Sequence, residues 1–218
     1  MKVAVSIGHD PLVFLAGSIE VPYGVSEYDW IGGVLGQPFE VLQSTQTGLP
    51  LPANSEIIIE GTAHPDQKRD EGPFGEWTGY YASDQRAEPT ITVERVLYRS
   101  NPIMLGSPPG KPPSELTAYR SIMRSALIWD DMEKIAVPDV RGVWCHPAGG
   151  TRLLVIVSIK QRYAGHARQA ALAAMSCRAG AYLGRYVVVV DDDIDPTNTW
   201  DVLWAICTRS DPEKDIDI

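Results

Sequence analysis

Eight residues, Gly106 to Pro113, contain two glycines and four prolines, and this break constrains the fold more than any other stretch of the chain. Proline lacks an amide hydrogen and restricts the residue before it, so neither a helix nor a strand ladder runs through such a segment. The chain is therefore expected to divide there, with residues 1–106 as one domain, 107–113 as a linker and 114–218 as a second domain. A total of 218 residues is enough for each part to bury a core of its own.

The two sides of the break are patterned differently. Before it, apolar residues alternate. Lys2 to Gly8 sets Val3, Val5 and Ile7 against smaller or polar neighbours, Ser55 to Ala63 places Ile57 and Ile59 on one face, and Glu88 to Tyr98 places Ile91, Val93, Arg95 and Leu97 on one face. These read as strands of one antiparallel system, with a further strand at Pro38 to Gln43 and a loop at Thr47 to Asn54. Ser100-Asn101-Pro102 reads as a tight turn into a hairpin with Ile103 to Leu105. Two helices are expected between the strands: Asp10 caps one that Pro11 opens and that continues to Ile19, and Ser26 caps another running through Ile31 and Leu35 to Gly36. After the break, Ser114-Glu115 opens a long helix with an apolar face from Leu116 to Met132. The order that follows is strand (Val140 to Cys145), strand (Leu153 to Ile159), helix (His166 to Arg178), strand (Tyr186 to Val190) and helix (Thr199 to Arg209), which is an open α/β layer. The unbroken run Val187 to Val190 predicts a strand covered on both faces.

Chemistry concentrates in Glu71-Gly72-Pro73-Phe74-Gly75-Glu76-Trp77-Thr78-Gly79-Tyr80-Tyr81. Its glycines and proline favour a bent loop that turns both glutamates toward a common point. Two carboxylates in one site can divide acid and base roles, because the charge of one opposes ionisation of the other. A solvated acidic turn explains charge and spacing equally well; the rings of Phe74, Trp77, Tyr80 and Tyr81 favour a site. Asp191-Asp192-Asp193-Ile194-Asp195-Pro196 follows a strand at its carboxyl end, where open α/β sheets bind ligands, and reads either as a cation site or as a polar turn capping the next helix. Cys145, Cys177 and Cys207 show no paired spacing and read as reduced core residues, and the four histidines form no metal motif. A net charge of −9 with no basic stripe argues against a nucleic-acid surface. No apolar run approaches the roughly 20 residues of a membrane span, the N-terminus lacks the order of a signal peptide, and the cytoplasm is the expected location.

The Glu71–Tyr81 loop, the upstream run Leu51 to Gly61, Glu94 to Ile103, Val190 to Pro196 and Asp201 to Arg209 together resemble the UbiD family of prenylated-flavin-dependent decarboxylases, in the family's order and over nearly the whole chain. The resemblance implies an antiparallel split β-barrel that binds flavin, followed by an open α/β layer in a second domain. It implies prenylated FMN, a Mn2+ or Mg2+ ion and K+ as cofactors, a flavin prenyltransferase as cofactor supplier, and an aromatic or α,β-unsaturated carboxylic acid as substrate of a non-oxidative, reversible decarboxylation. At the matching positions Glu76 would be the proton donor and Glu71 its partner. Glu27, whose local role is to sit in the first turn of a helix, would be a metal ligand, with backbone carbonyls near Ala16, Gly17 and Ile19 lining the monovalent site. Arg185 stands where relatives carry a lysine near the cofactor, and Arg209 would face the active site. Relatives begin upstream of Met1, in a region supplying an arginine, an asparagine and a histidine to the site, and continue past Ile218. The expectation is thus a central portion of the family's fold, or one chain of a split enzyme, forming a homo-oligomer or pairing with a partner chain. A non-catalytic assembly subunit and a degenerate flavin-binding module are the rival readings.

Overall fold

The alternation before the break produces strands that are paired over long sequence distances. A computed structural model describes residues 1–107 and 110–218; Pro108 and Pro109, within the expected linker, lie outside the described residues. The chain forms two compact units, Met1–Lys111 and Pro112–Ile218.

In the first unit, strand β1 (Lys2–Ile7) pairs antiparallel with β4 (Ile57–Glu71), and β4 pairs antiparallel with β5 (Arg86–Tyr98), giving a three-stranded sheet of order β1-β4-β5. The two helices between β1 and β4 start where their caps predict. Helix α1 (Pro11–Ala16) begins after Asp10, whose carboxylate accepts from Leu12 N at 2.8 Å. Helix α2 (Glu27–Leu35) begins after Ser26 and ends at Gly36 in the left-handed conformation. Several expectations need correction. Thr47 to Asn54 is not all loop, because β2 (Val41–Gln43) pairs with β3 (Pro50–Pro52). The polar run His64 to Asp70 belongs to β4, paired with β5 at His64 and again from Lys68 on, with a bulge between. The buried face of β4 carries Ile58 and Glu60 rather than Ile57 and Ile59. No strand forms at Ile103 to Leu105; Ile103 N donates to the Glu56 carboxylate instead, at 3.2 Å. The strands close no barrel among the described residues, and the architecture is a mixed α/β fold with antiparallel sheets.

Glu60 is fully buried, and a buried carboxylate needs compensation. It receives it from Thr47 Oγ1 at 2.7 Å, Arg95 Nε at 2.7 Å, Arg95 Nη2 and the Ser44 hydroxyl. Ser44 Oγ accepts in turn from Gln46 N at 3.0 Å and Thr47 N at 2.9 Å. The carboxylate thus fastens the Ser44–Thr47 turn to the sheet. Burial alone would raise its pKa; the bonds from Ser44, Thr47 and Arg95 outweigh that and hold it below the usual carboxylate range. Next to it the ladder slips at a bulge, where Gly61 passes so close to β5 that a Cβ would lie 2.2 Å from Thr92 O.

In the second unit, β6 (Val140–Cys145), β7 (Leu154–Ile159) and β8 (Tyr186–Asp191) form a sheet of order β6-β7-β8, antiparallel between β6 and β7 and parallel between β7 and β8. Helix α3 (Glu115–Lys134) opens with a capping box of Ser114 and Thr117. The expected helix from His166 to Arg178 breaks at Cys177, which is extended, into α4 (His166–Ser176) and α5 (Arg178–Ala181). One sheet face packs Val143, Val155 and Val157 against Ile128, Met132 and Ala170; the other packs Ile156 and Val190 against Val202 and Ala205 of α6 (Thr199–Arg209). Val187 and Val189 join the first core and Val188 joins the second, as a strand covered on both faces requires. Of the cysteines, Cys145 is buried, and burial pushes its thiol up to about 11, but Cys207 is exposed, so the core reading fails there. Among the described residues, no helix is long and apolar enough to cross a membrane.

Two predictions follow from the charges of the first unit. Glu60→Gln, which keeps the shape but removes the charge facing Arg95, should destabilise the unit by about 2 kcal/mol in urea denaturation; the pair's partial exposure at Arg95 keeps the value below that of a fully buried pair. Glu94 accepts from Thr62, Gln46 and Lys2, which lower its pKa from 4.5 to about 2. A carboxylate lowered on folding stabilises above its unfolded pKa and loses that contribution as pH falls through the folded value. The melting-temperature gap between the wild-type chain and Glu94→Gln should therefore shrink steadily as pH falls from 4.5 to about 2. A gap that stays constant over that range would show that these bonds do not hold the charge.

Candidate functional site

Strands β4 and β5 run together to a last ladder pair, Glu71 opposite Arg86, and the residues between them form the glutamate loop. Arg86 is itself ion-paired to Glu88, at 2.5 Å. Inside the loop, Gly75 and Tyr81 form an isolated bridge. Glu76 N donates to Tyr80 O at 3.1 Å and Gly79 N donates to Glu76 O at 2.9 Å, so a tight turn closes around Glu76. Glu71 is exposed at the strand end and Glu76 is half-buried. The structure therefore brings both glutamates into one hairpin end. The rings expected to wall a pocket divide: Trp77 is half-buried, whereas Phe74, Tyr80 and Tyr81 are largely exposed. Thr78 Oγ1 is buried with no hydrogen-bond partner among the described residues.

Glu27 is the first residue of α2, exposed beside the cap, where Ser26 Oγ accepts from Tyr28 N at 3.2 Å. Burial first, and the Glu27 charge second, raise the pKa of Tyr28, whose ring stacks on Phe39 with centroids 5.5 Å apart. Of the residues flanking the expected monovalent site, Ala16 and Ile19 are buried and Gly17 is exposed. Among the described residues, no three of His, Cys, Asp and Glu come together in a group able to hold a metal, at Glu27 or elsewhere.

In the second unit, Arg185 is exposed immediately before β8. Arg209 is committed elsewhere. Its guanidinium donates to both oxygens of Asp193, each at 2.7 Å, reaches Asp191 at 3.3 Å and lies over the Trp204 ring, 4.8 Å from the centroid. Those bonds hold Asp193 below the usual carboxylate range. Asp195 Oδ1 accepts from Thr197 N and Thr197 Oγ1, each at 2.8 Å, and Asn198 rather than an aspartate caps α6. The aspartate run is thus a turn locked to the helix that follows it.

Two open grooves indent the first unit. One, of about 530 Å³, lies at the wide bulge between β4 and β5 and is lined by Lys68, Arg69, Thr90 and Thr92; the other, of about 600 Å³, is lined by Glu56, Tyr98 and Arg99. Neither contains Glu71, Glu76 or Glu27. Glu56, the carboxylate in the second groove, is occupied by Arg99 and by Ile103 N. Sequence reasoning missed the buried Glu60 cluster, Thr78 and the approach of Lys111 to the loop, because each depends on partners distant in the chain.

Comparison with known proteins places both units in one family. A family model described as the 3-octaprenyl-4-hydroxybenzoate carboxy-lyase Rift-related domain matches residues 1–112, and one described as the C-terminal domain of the same carboxy-lyase matches residues 118–218. An evolved dimeric form of the UbiD-class enzyme HmfF from Pelotomaculum thermopropionicum, in complex with prFMN, is 32% identical with a TM-score of 0.85, over 100% of this chain and 49% of that one. The vanillic acid decarboxylase of Sedimentibacter hydroxybenzoicus in closed form is 33% identical with a TM-score of 0.88, over 99% of this chain and 45% of that one. The 3,4-dihydroxybenzoic acid decarboxylase of Klebsiella pneumoniae, solved without ligand, is 27% identical with a TM-score of 0.80, over 98% of this chain and 45% of that one. The chain spans about half the length of these structures.

Proposed function

The chain belongs to the UbiD family of carboxy-lyases, and from that premise we propose that it takes part in the non-oxidative, reversible decarboxylation of an aromatic or α,β-unsaturated carboxylic acid, with Glu76 as proton donor and Glu71 as its partner. The observation that carries this reading is the closed turn at the end of the β4–β5 hairpin, which holds a half-buried Glu76 among exposed aromatic rings. Loss of carbon dioxide from R–COO⁻ leaves an electron pair on carbon, and one proton must arrive there to give R–H. Glu76 delivers that proton from a carboxyl oxygen and becomes a carboxylate. Glu71, exposed at the strand end, passes a proton from solvent to restore it, and the sum is R–COO⁻ + H⁺ → R–H + CO₂.

The loop suits prenylated FMN. Phe74, Tyr80 and Tyr81 are exposed and could pack on a flat ring system, and the Thr78 hydroxyl, without a partner among the described residues, is a polar atom in want of a bond. When bound, prenylated FMN supplies an electron-accepting ring system for the charge left on carbon. Arg185, exposed before β8, and Arg209, whose guanidinium is held by Asp193, are the cofactor-binding residues proposed from the second unit. Glu27 is the carboxylate offered to Mn2+ or Mg2+, although among the described residues no group of three His, Cys, Asp or Glu side chains gathers to hold a metal, and backbone carbonyls near Ala16, Gly17 and Ile19 would hold K+. A second reading is an assembly subunit that completes the site of a partner chain. In both readings the antiparallel sheet is part of a split barrel, a flavin prenyltransferase supplies the cofactor, and association into a homo-oligomer or with a partner chain is expected in the cytoplasm.

The chain co-expressed with a flavin prenyltransferase and supplied with manganese and potassium should carry prenylated FMN, visible in its ultraviolet-visible spectrum and mass, and Glu27→Ala should reduce the bound fraction. A colourless wild-type chain that gains flavin only on addition of a partner would select the assembly reading. In the loaded enzyme, Glu76→Gln should lower turnover by about 10²-fold or more with cofactor content unchanged. Turnover retained in that variant would remove Glu76 from the donor role.

A further inference from the structure

The turn that carries Glu76 does not end in solvent; its far side meets the last residue of the first unit. A Cβ at Gly79 would lie 2.5 Å from Lys111 Cβ, 2.6 Å from Lys111 Cα and 2.8 Å from Lys111 N. Real side chains do not approach so closely, and because two of those three atoms are backbone, no rotation of the Lys111 side chain would relieve the overlap. Gly79 also has φ +95°, a conformation that other residues rarely adopt. Two separate constraints therefore require glycine here: the bend of the turn, and the backbone of Lys111 packed against it. The Gly79 amide meanwhile donates to Glu76 O at 2.9 Å, so whatever bears on Gly79 bears on Glu76. Lys111 is followed by Pro112 and Pro113, whose rings stiffen the chain where the second unit begins.

We propose that Gly79 and Lys111 form a positioning contact, in which the connector between the two units seats against the Glu76 turn and fixes where the Glu76 carboxyl stands. Neither residue touches the reacting atoms; both act through Glu76. The catalytic meaning of the contact rests on Glu76 being the proton donor, but the contact itself can be tested without cofactor or substrate. Any change that lifts the connector off the turn loosens the two backbone bonds at Glu76, and any side chain at Gly79 displaces the connector.

Amide hydrogen exchange and backbone NMR on the full chain read both directions. Lys111→Gly removes the nearest contacting atom and frees the connector, and it should speed exchange of the Glu76 and Gly79 amides by about tenfold while the β4–β5 ladder is unchanged. Exchange unaltered at both amides would overturn the proposal. Gly79→Ala should shift the Lys111 amide resonance, whereas Gly72→Ala, with φ +85° and no atom nearer than 3.5 Å to its Cβ, strains the same loop without meeting the connector and should leave that resonance in place. Equal responses of Lys111 to the two alanines would also overturn it, and if Gly79→Ala does not fold, Lys111→Gly decides alone. In the loaded enzyme Lys111→Gly should lower kcat about tenfold with KM nearly constant, as displacement of a catalytic group does. A raised KM at constant kcat would rule out positioning of Glu76. If the wild-type chain shows no turnover under any loading, the proposed chemistry fails and the exchange result still decides the contact.

Discussion

The first unit depends on the carboxylate of Glu60. Its position in the central strand puts it opposite Arg95 on β5 and Ala4 on β1. An ion there is tolerable because two hydroxyls and a guanidinium saturate its oxygens. The same bonds secure the turn at Ser44 to Thr47, which precedes β3, so sheet and surface segment share one electrostatic anchor. With this anchor in place, β4 and β5 run on past the bulges as a long two-stranded arm. The glutamate loop is the end of that arm.

How much of this could be read from sequence depended on the distance over which each feature is decided. Asp10, Ser26, Gly36 and Ser114 mark helix ends through bonds to residues two to four positions away, and those ends stand where the signals place them, whereas the helix after Asp10 stops at Ala16 rather than continuing to Ile19. Val187 to Val190 revealed its two-sided burial because a continuous apolar run has few other uses. The family resemblance rested on motifs that the comparisons support across both units. By contrast, His64 to Asp70 looks like loop by composition and becomes strand because β5 lies beside it. Ile103 to Leu105 has strand-like residues, yet the Glu56 carboxylate takes the amide that a strand would have used. Nothing local distinguishes the buried Glu60 from the partly exposed Glu94 one strand away, since both were simply acidic residues in alternating segments.

The site shows the same division. The two loop glutamates, their glycines and their rings were legible, because Gly and Pro at such density permit little besides an irregular loop. Their surroundings were not. Tyr80 and Tyr81 turn outward, Thr78 turns inward without a bond, and the connector returns to touch Gly79 after a long excursion through β5. The second unit offered the opposite lesson: four aspartates read either as a cation site or as a polar turn, and a single arginine from the next helix bridges two of them. Charge composition alone could not separate those outcomes, because an arginine eighteen residues on from Asp191 leaves no periodic trace.

The register of the sheet also sets a timetable for synthesis. Lys2 pairs with Thr62 and Ile7 with Ile57, so β1 meets β4 only once that later strand has been made. At about 5–20 residues per second, the wait is on the order of several seconds to ten, far longer than the two small helices in between need to form. During that interval Val3, Val5 and Ile7 are an open apolar edge, and the nascent first unit is most exposed to wrong pairing before its own central strand arrives.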